Sequence, residues 1–238
     1  MSDLVYFKKS KLDALADKIN EKCGGGVEPI SLEEMVAKID EISSGDSNSS
    51  LREFLENRTT LKNCYSNYKG VKLVKFTINP LVRDLSYCWV NCSNITIWDE
   101  VCDTSLITNL SVIFQSCAKL KIINGLKTEK AKNMDYAFNA CLALETISTP
   151  LDFSNVTSTT MCFNLCKALK NIYFVAKTIN CSLSFANCDK LTAESVQSII
   201  DGLATVTTAQ TITFHKNIAL SDEQKQTIND KGWTLVQA

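Results

Sequence analysis

The chain has 238 residues, 45% of them hydrophobic and 21% charged, with 25 Lys and Arg set against 26 Asp and Glu for a net charge of −1. That composition belongs to a chain that folds, and its balanced charge supplies no positive field for tracking phosphates or an anionic membrane surface. Neither an apolar run of about 18 residues nor, over Met1–Lys9, the apolar stretch of a secretory signal is present, so a soluble product made in the cytosol is expected, without nucleic acid or membrane insertion. Eleven cysteines form an odd set in a long chain of this kind, which points to free thiols and not to a disulfide framework.

The first elements are helical. Ser10 is placed to cap a helix whose apolar residues Leu12, Leu15, Ala16, Ile19 and Cys23 recur at helical spacing up to the stop at Gly24-Gly25-Gly26. Ser31-Leu32-Glu33-Glu34 reads as a capping box that opens a second helix with Met35, Val36, Ile39 and Ile42 on one face. Residues 1–42 are thus expected to form a two-helix module too small to hold a core alone. Leu12, Leu15, Ile19, Met35 and Ile39 would serve docking or oligomerisation. Residues 43–50, Ser-Ser-Gly-Asp-Ser-Asn-Ser-Ser, read as a flexible linker.

Residues 51–84 read as an N-terminal cap or degenerate repeat, with Leu61-x-x-Cys64 as an irregular copy 28 residues before Cys92 and Lys72–Ile78 as strand. From Leu85 a unit recurs. Short alternating stretches end in Trp89, Phe114, Phe138, Phe163 and Phe185, and each is followed three residues later by Cys92, Cys117, Cys141, Cys166 and Cys188. The cysteine steps are 25, 24, 25 and 22 residues, which is the length of one coil of a stacked repeat. Aromatic and Cys rows are expected to form the core ladder, each buried aromatic contributing roughly 1.5–3 kcal/mol. Alternation over Leu85-x-Tyr87-x-Trp89 and its copies predicts half-buried strands. It would turn outward a polar row, Ser86, Ser111, Asp135, Thr160 and Ser182, and beside it Cys88, Ile113, Ala137, Cys162 and Ser184. Residues 192–238 read as helix, strand, helix, strand and are expected to close the last coil.

Catalytic and cofactor chemistry find little support. The one histidine, His215, lies outside the repeats, and no nucleophile motif surrounds any cysteine. Cys88-x3-Cys92 and Cys162-x3-Cys166 would place their two thiols on opposite strand faces, which argues against zinc. Gly24-Gly25-Gly26 lacks the downstream residues of a phosphate-binding loop.

Leu151-Asp152-Phe153-Ser154-Asn155-Val156-Thr157, continuing through Met161, Phe163 and Cys166, resembles the coil of BspA-like leucine-rich repeats, and Asn133–Phe138 echoes it. The resemblance implies a binding or adhesion scaffold and not an enzyme. Leu15–Lys22 with Ile30–Met35, and Leu220–Gln224 with Lys231–Leu235, are similar to the two ends of phage tail and tail-fibre proteins of Gram-positive bacteria. Together these imply an α+β chain: a leucine-rich-repeat-like solenoid of about five coils with stacked short parallel strands over 85–191, an N-terminal two-helix module and a C-terminal α/β cap. They imply a structural protein of a phage tail, baseplate or phage-tail-like particle, or alternatively a BspA-like surface adhesin. Expected partners are other tail proteins, further copies of the chain, and host-surface carbohydrate or protein; no cofactor or metal is expected.

Overall fold

The computed structural model describes residues 61, 62, 65–68, 78 and 80–238. The expected N-terminal helices, the linker, the docking residues Leu12, Leu15, Ile19, Met35 and Ile39, and most of 51–84 lie outside the described residues.

The described chain is a mixed α/β structure with two parallel sheets and two helices. One sheet joins β1 (Ile97–Asp99), β2 (Ile122–Asn124), β3 (Thr146–Leu151) and β4 (Asn171–Phe174) in chain order. The other joins β5 (Leu183–Phe185), β6 (Gln210–Phe214) and β7 (Trp233–Gln237), with α1 (Ala193–Gly202) and α2 (Asp222–Asp230) as the connections after β5 and β6. Registers repeat at 24–25 residues: Ile97 opposes Ile122, Ile122 opposes Thr146, and Thr146 opposes Asn171. Alternation inside these short strands buries Trp98, Ile123, Ile147 and Ile172 in one column.

A second line of pairing runs through the aromatic unit, and here the structure corrects the sequence reading. Residues 85–92 and the equivalents in the next three units are successive turns, whereas β1–β4 lie further on, where each unit's apolar residues Trp98, Ile123, Ile147 and Ile172 stand. Alternate amides divide their work. Leu85, Tyr87, Trp89 and Asn91 donate N–H bonds to Asn109, Ser111, Ile113 and Gln115 of the next unit, while Cys88, Val90 and Cys92 donate back within their own turn. This requires a left-handed residue every fourth position: Tyr87 and Asn91, then Val112 and Ser116, Tyr136 and Ala140, Met161 and Leu165 all have positive φ. A non-glycine residue there costs about 1–2 kcal/mol. Its recurrence means that the hydrogen bonds between units over-determine the conformation.

The consequence is a change of face. Inward positions follow i, i+3, i+4, namely Leu85, Cys88, Trp89; Leu110, Ile113, Phe114; and Met134, Ala137, Phe138, all wholly buried. Cys88, Ile113, Ala137 and Cys162, expected on the outer face, are core residues. Tyr87 and Met161, expected inside, are exposed. Only at β5 does the alternating reading hold, with Leu183 and Phe185 in and Ser184 out.

The core's spine is a column of rings. Tyr65 stacks on Trp89 at 5.8 Å, and the column continues through Phe114, Phe138, Phe163 and Phe185 to Phe214 with steps of 5.6, 6.0, 5.2, 4.9 and 6.3 Å. Two boundaries move as a result. Leu61, Tyr65 and Asn67 donate to Asp84, Cys88 and Val90, so the described residues of the N-terminal unit align Tyr65 with Trp89 at a regular 24-residue step in place of the 28-residue step read from the sequence. At the other end Phe214 extends the column, so β6 continues the stack into the segment read as a separate cap.

Helix α1 ends the first sheet. Its N-cap is Thr192, and its serines sit where the next strand's carbonyls would be: Ser195 Oγ accepts the Ile172 N–H at 2.9 Å and Ser198 Oγ accepts the Phe174 N–H at 3.0 Å. The edge amides of β4 are thereby satisfied without a fifth strand.

A candidate binding face

Within each unit the turn begins with a side chain that accepts an amide two residues on: Asp84 for Ser86, Asn109 for Ser111 and Asn133 for Asp135, at 2.7, 3.1 and 2.8 Å. The next unit has the shorter Ser158 in that place, and the Thr160 amide finds its acceptor elsewhere. Asp135 reaches across instead, its Oδ1 accepting the Ser158 hydroxyl and the Thr160 N–H, each at 2.6 Å. Asp135 is therefore a bracket between units.

The polar row read from the sequence is divided by this geometry. Ser86 and Ser111 are buried, and Ser86 Oγ has no hydrogen-bond partner among the described residues, which removes both from any outer surface. Asp135 is half-buried, and Thr160 and Ser182 are exposed. Those last two meet across an open groove of about 390 Å³ lined by Thr157–Met161, Cys181–Ser184 and the β6 residues Gln210, Thr211 and Thr213. Sequence reasoning missed the β6 wall, because Gln210 lies 28 residues beyond Ser182 and only the parallel pairing of Leu183 with Ile212 brings them together. Gln210 Oε1 accepts both the N–H and the hydroxyl of Ser182, at 2.9 Å each, and Ser182 Oγ accepts the Thr211 N–H at 2.9 Å.

The cysteine row has a structural explanation that spacing did not supply. Cys92, Cys117, Cys141, Cys166 and Cys188 direct Sγ at the backbone carbonyl of the aromatic residue one unit back: Tyr65, Trp89, Phe114, Phe138 and Phe163, at 3.1, 3.0, 3.1, 3.2 and 3.7 Å. Cysteine suits the place because it is apolar enough to bury and still donates weakly. Burial pushes the thiols of Cys141 and Cys188 up to about 12, and Cys166 also rises well above the ordinary range. Cys117 is raised too, first by its contact with the Cys92 side chain and then by burial. Burial and the adjacent Cys181 raise Cys162. Such thiols are held protonated, the reverse of what a nucleophile or metal ligand needs. Cys88 and Cys92 both point inward, so the opposite-face argument against zinc at that pair was wrong; among the described residues no group of three or more His, Cys, Asp or Glu is placed to hold a metal. His215 follows β6, and its Nδ1 accepts the Asn217 N–H at 3.1 Å.

Fold and face together define a repeat protein: parallel units of about 24 residues in register, a dry thiol and aromatic spine, and a polar outer groove. Residues 82–198 match the family model described as "Mycoplasma protein of unknown function, DUF285", a family associated with BspA-like repeat proteins. Comparison with the curated proteins and with the solved structures gives no match.

Proposed function

We propose that the chain is a non-enzymatic structural and binding protein, a leucine-rich-repeat-like solenoid displayed by a phage tail, baseplate or phage-tail-like particle for host-surface recognition. The observation that carries it is the open groove of Thr160, Ser182 and Gln210 on a stack whose thiols are buried and protonated. A rigid scaffold with an accessible polar face suits recognition, and thiols in that state do not suit catalysis. The N-terminal residues Leu12, Leu15, Ile19, Met35 and Ile39 would dock on other tail proteins or on further copies of the chain.

The family match over 82–198 supports a second reading, a BspA-like bacterial surface adhesin. Labelled full-length chain should bind intact cells of the encoding strain or its close relatives under either reading. Antibody against the chain should decorate purified particles only under the first. Cells left unlabelled would sink both readings, and labelled cells with bare particles would leave the adhesin. A chain lacking residues 1–45 should lose particle assembly while keeping the groove, and unchanged assembly would remove the docking role.

A further inference from the structure

We propose that the groove between residues 157–161, 181–184 and β6 is a subsite for a neutral glycan; this rests on the recognition reading above and names its ligand class. The lining residues are hydroxyl-bearing, amide or apolar, and none is Lys, Arg, His, Asp or Glu. A phosphate or carboxylate ligand would surrender its hydration there without gaining an opposite charge, and would face the Asp135 carboxylate that is bonded to Ser158 and Thr160, which is unfavourable. A polyhydroxylated neutral ligand loses nothing of that kind, since each of its hydroxyls can exchange water for a protein donor or acceptor.

The donors are oriented in advance. Both bonds from Ser182 fall on Gln210 Oε1, which fixes the amide and leaves Nε2 as the end that donates outward. The hydroxyls of Thr160, Thr211 and Thr213 line the same space and can donate or accept. Beside them Met161, 53% exposed, presents an apolar surface of the sort that packs on the C–H face of a sugar ring. Tyr136 holds the position equivalent to Met161 in the preceding unit, its N–H bonded to the Thr160 carbonyl. The volume of about 390 Å³ falls within the range of small-ligand sites.

The test uses the full chain with neutral hexasaccharides of glucose (α-1,4 and β-1,4), mannose and N-acetylglucosamine, read by saturation-transfer NMR and titration calorimetry. At least one should bind, and Thr160→Lys and Thr213→Lys, which fill the groove with a cation, should each weaken it about tenfold or more while the melting temperature stays within the error of the parent. Silence of all four sugars while the chain still binds cells overturns the glycan assignment and leaves recognition standing. Undiminished sugar binding by both variants overturns the location. Cell binding abolished by protease treatment of the cells, with the sugars silent, assigns the face to a protein and likewise overturns the proposal. Loss of cell binding and sugar binding together by the parent chain fails the reading on which it rests.

Discussion

Raising the pH should unfold this protein by ionising its spine. Cys141 and Cys188 sit in the thiol column with no exposed surface, and burial pushes both from an ordinary value near 9 up to about 12. Because the folded values are raised, the folded chain holds protons that the unfolded chain gives up. The stabilisation is whole below about pH 9, falls as pH rises, and is gone once pH passes the folded value near 12. At pH 11 the unfolded thiols have ionised over about two pH units and the folded ones have not. Each then costs roughly 3 kcal/mol, at about 1.4 kcal/mol per unit. Two such groups remove roughly 5–6 kcal/mol, comparable with the whole stability of an ordinary domain. Cys117, Cys162 and Cys166 shift in the same direction and add to the loss.

The assay is urea unfolding by circular dichroism at pH 8, 9, 10 and 11 under a thiol-free reductant. Lysines and tyrosines also titrate in this window, so the informative comparison is with Cys141→Ala. That variant starts less stable at pH 8, but its stability should fall less steeply above pH 9, by about 1.4 kcal/mol per pH unit. Equal slopes in parent and variant, or a flat profile from pH 9 to 11, would refute the account of the column as a dry, protonated spine.

Ser195→Ala should cost about 1–3 kcal/mol in the same unfolding assay, since it strands the buried Ile172 N–H that its hydroxyl satisfies; a change below 0.5 kcal/mol would mean that α1 does not close the sheet. Thr128→Val should be similarly costly, about 1–3 kcal/mol by thermal melting, because the buried Thr128 hydroxyl donates to the Asp152 carbonyl and accepts its N–H, both at 2.8 Å. Gly125→Ala should cost about 1–2 kcal/mol for its φ of 71°. Gly232→Ala should cost more: the 2.1 Å clash of a Gly125 Cβ with Glu100 Cγ is relieved by moving that exposed side chain, whereas a Gly232 Cβ would lie 2.4 Å from the Val206 backbone oxygen, and the reverse order would contradict the packing of that turn. In native maleimide labelling at pH 7.5, followed by peptide mass spectrometry, the partly exposed Cys181 should react well before Cys141 or Cys166; equal rates would place the column at the surface.

Part of the outer face could be read from the sequence and part could not. Thr160 and Ser182 were legible because they precede or flank the aromatic landmark of their units. Gln210, Thr211 and Thr213 were not, because α1 intervenes and nothing local marks them as the next unit. The N-terminal register held a usable signal: Leu61-x-x-Cys64-Tyr65 repeats Leu85-x-x-Cys88-Trp89 at 24 residues. Matching cysteine to the wrong cysteine concealed it.

Residue type and spacing were enough to establish a repeat of about 24 residues and its aromatic and cysteine rows, since a side chain that recurs at a fixed interval and cannot remain in water must stack on its copies. They could not establish which neighbours share a face. Five residues such as Leu85–Trp89 satisfy a period of two through Leu85, Tyr87 and Trp89, and equally the i, i+3, i+4 pattern through Leu85, Cys88 and Trp89. The choice was made by hydrogen bonds to the next unit, which hold Tyr87, Val112, Tyr136 and Met161 in a conformation that none of them prefers and so turn Tyr87 and Met161 outward and Cys88 inward. That energy resides in contacts between residues some 24 positions apart, and only the assembled stack contains them.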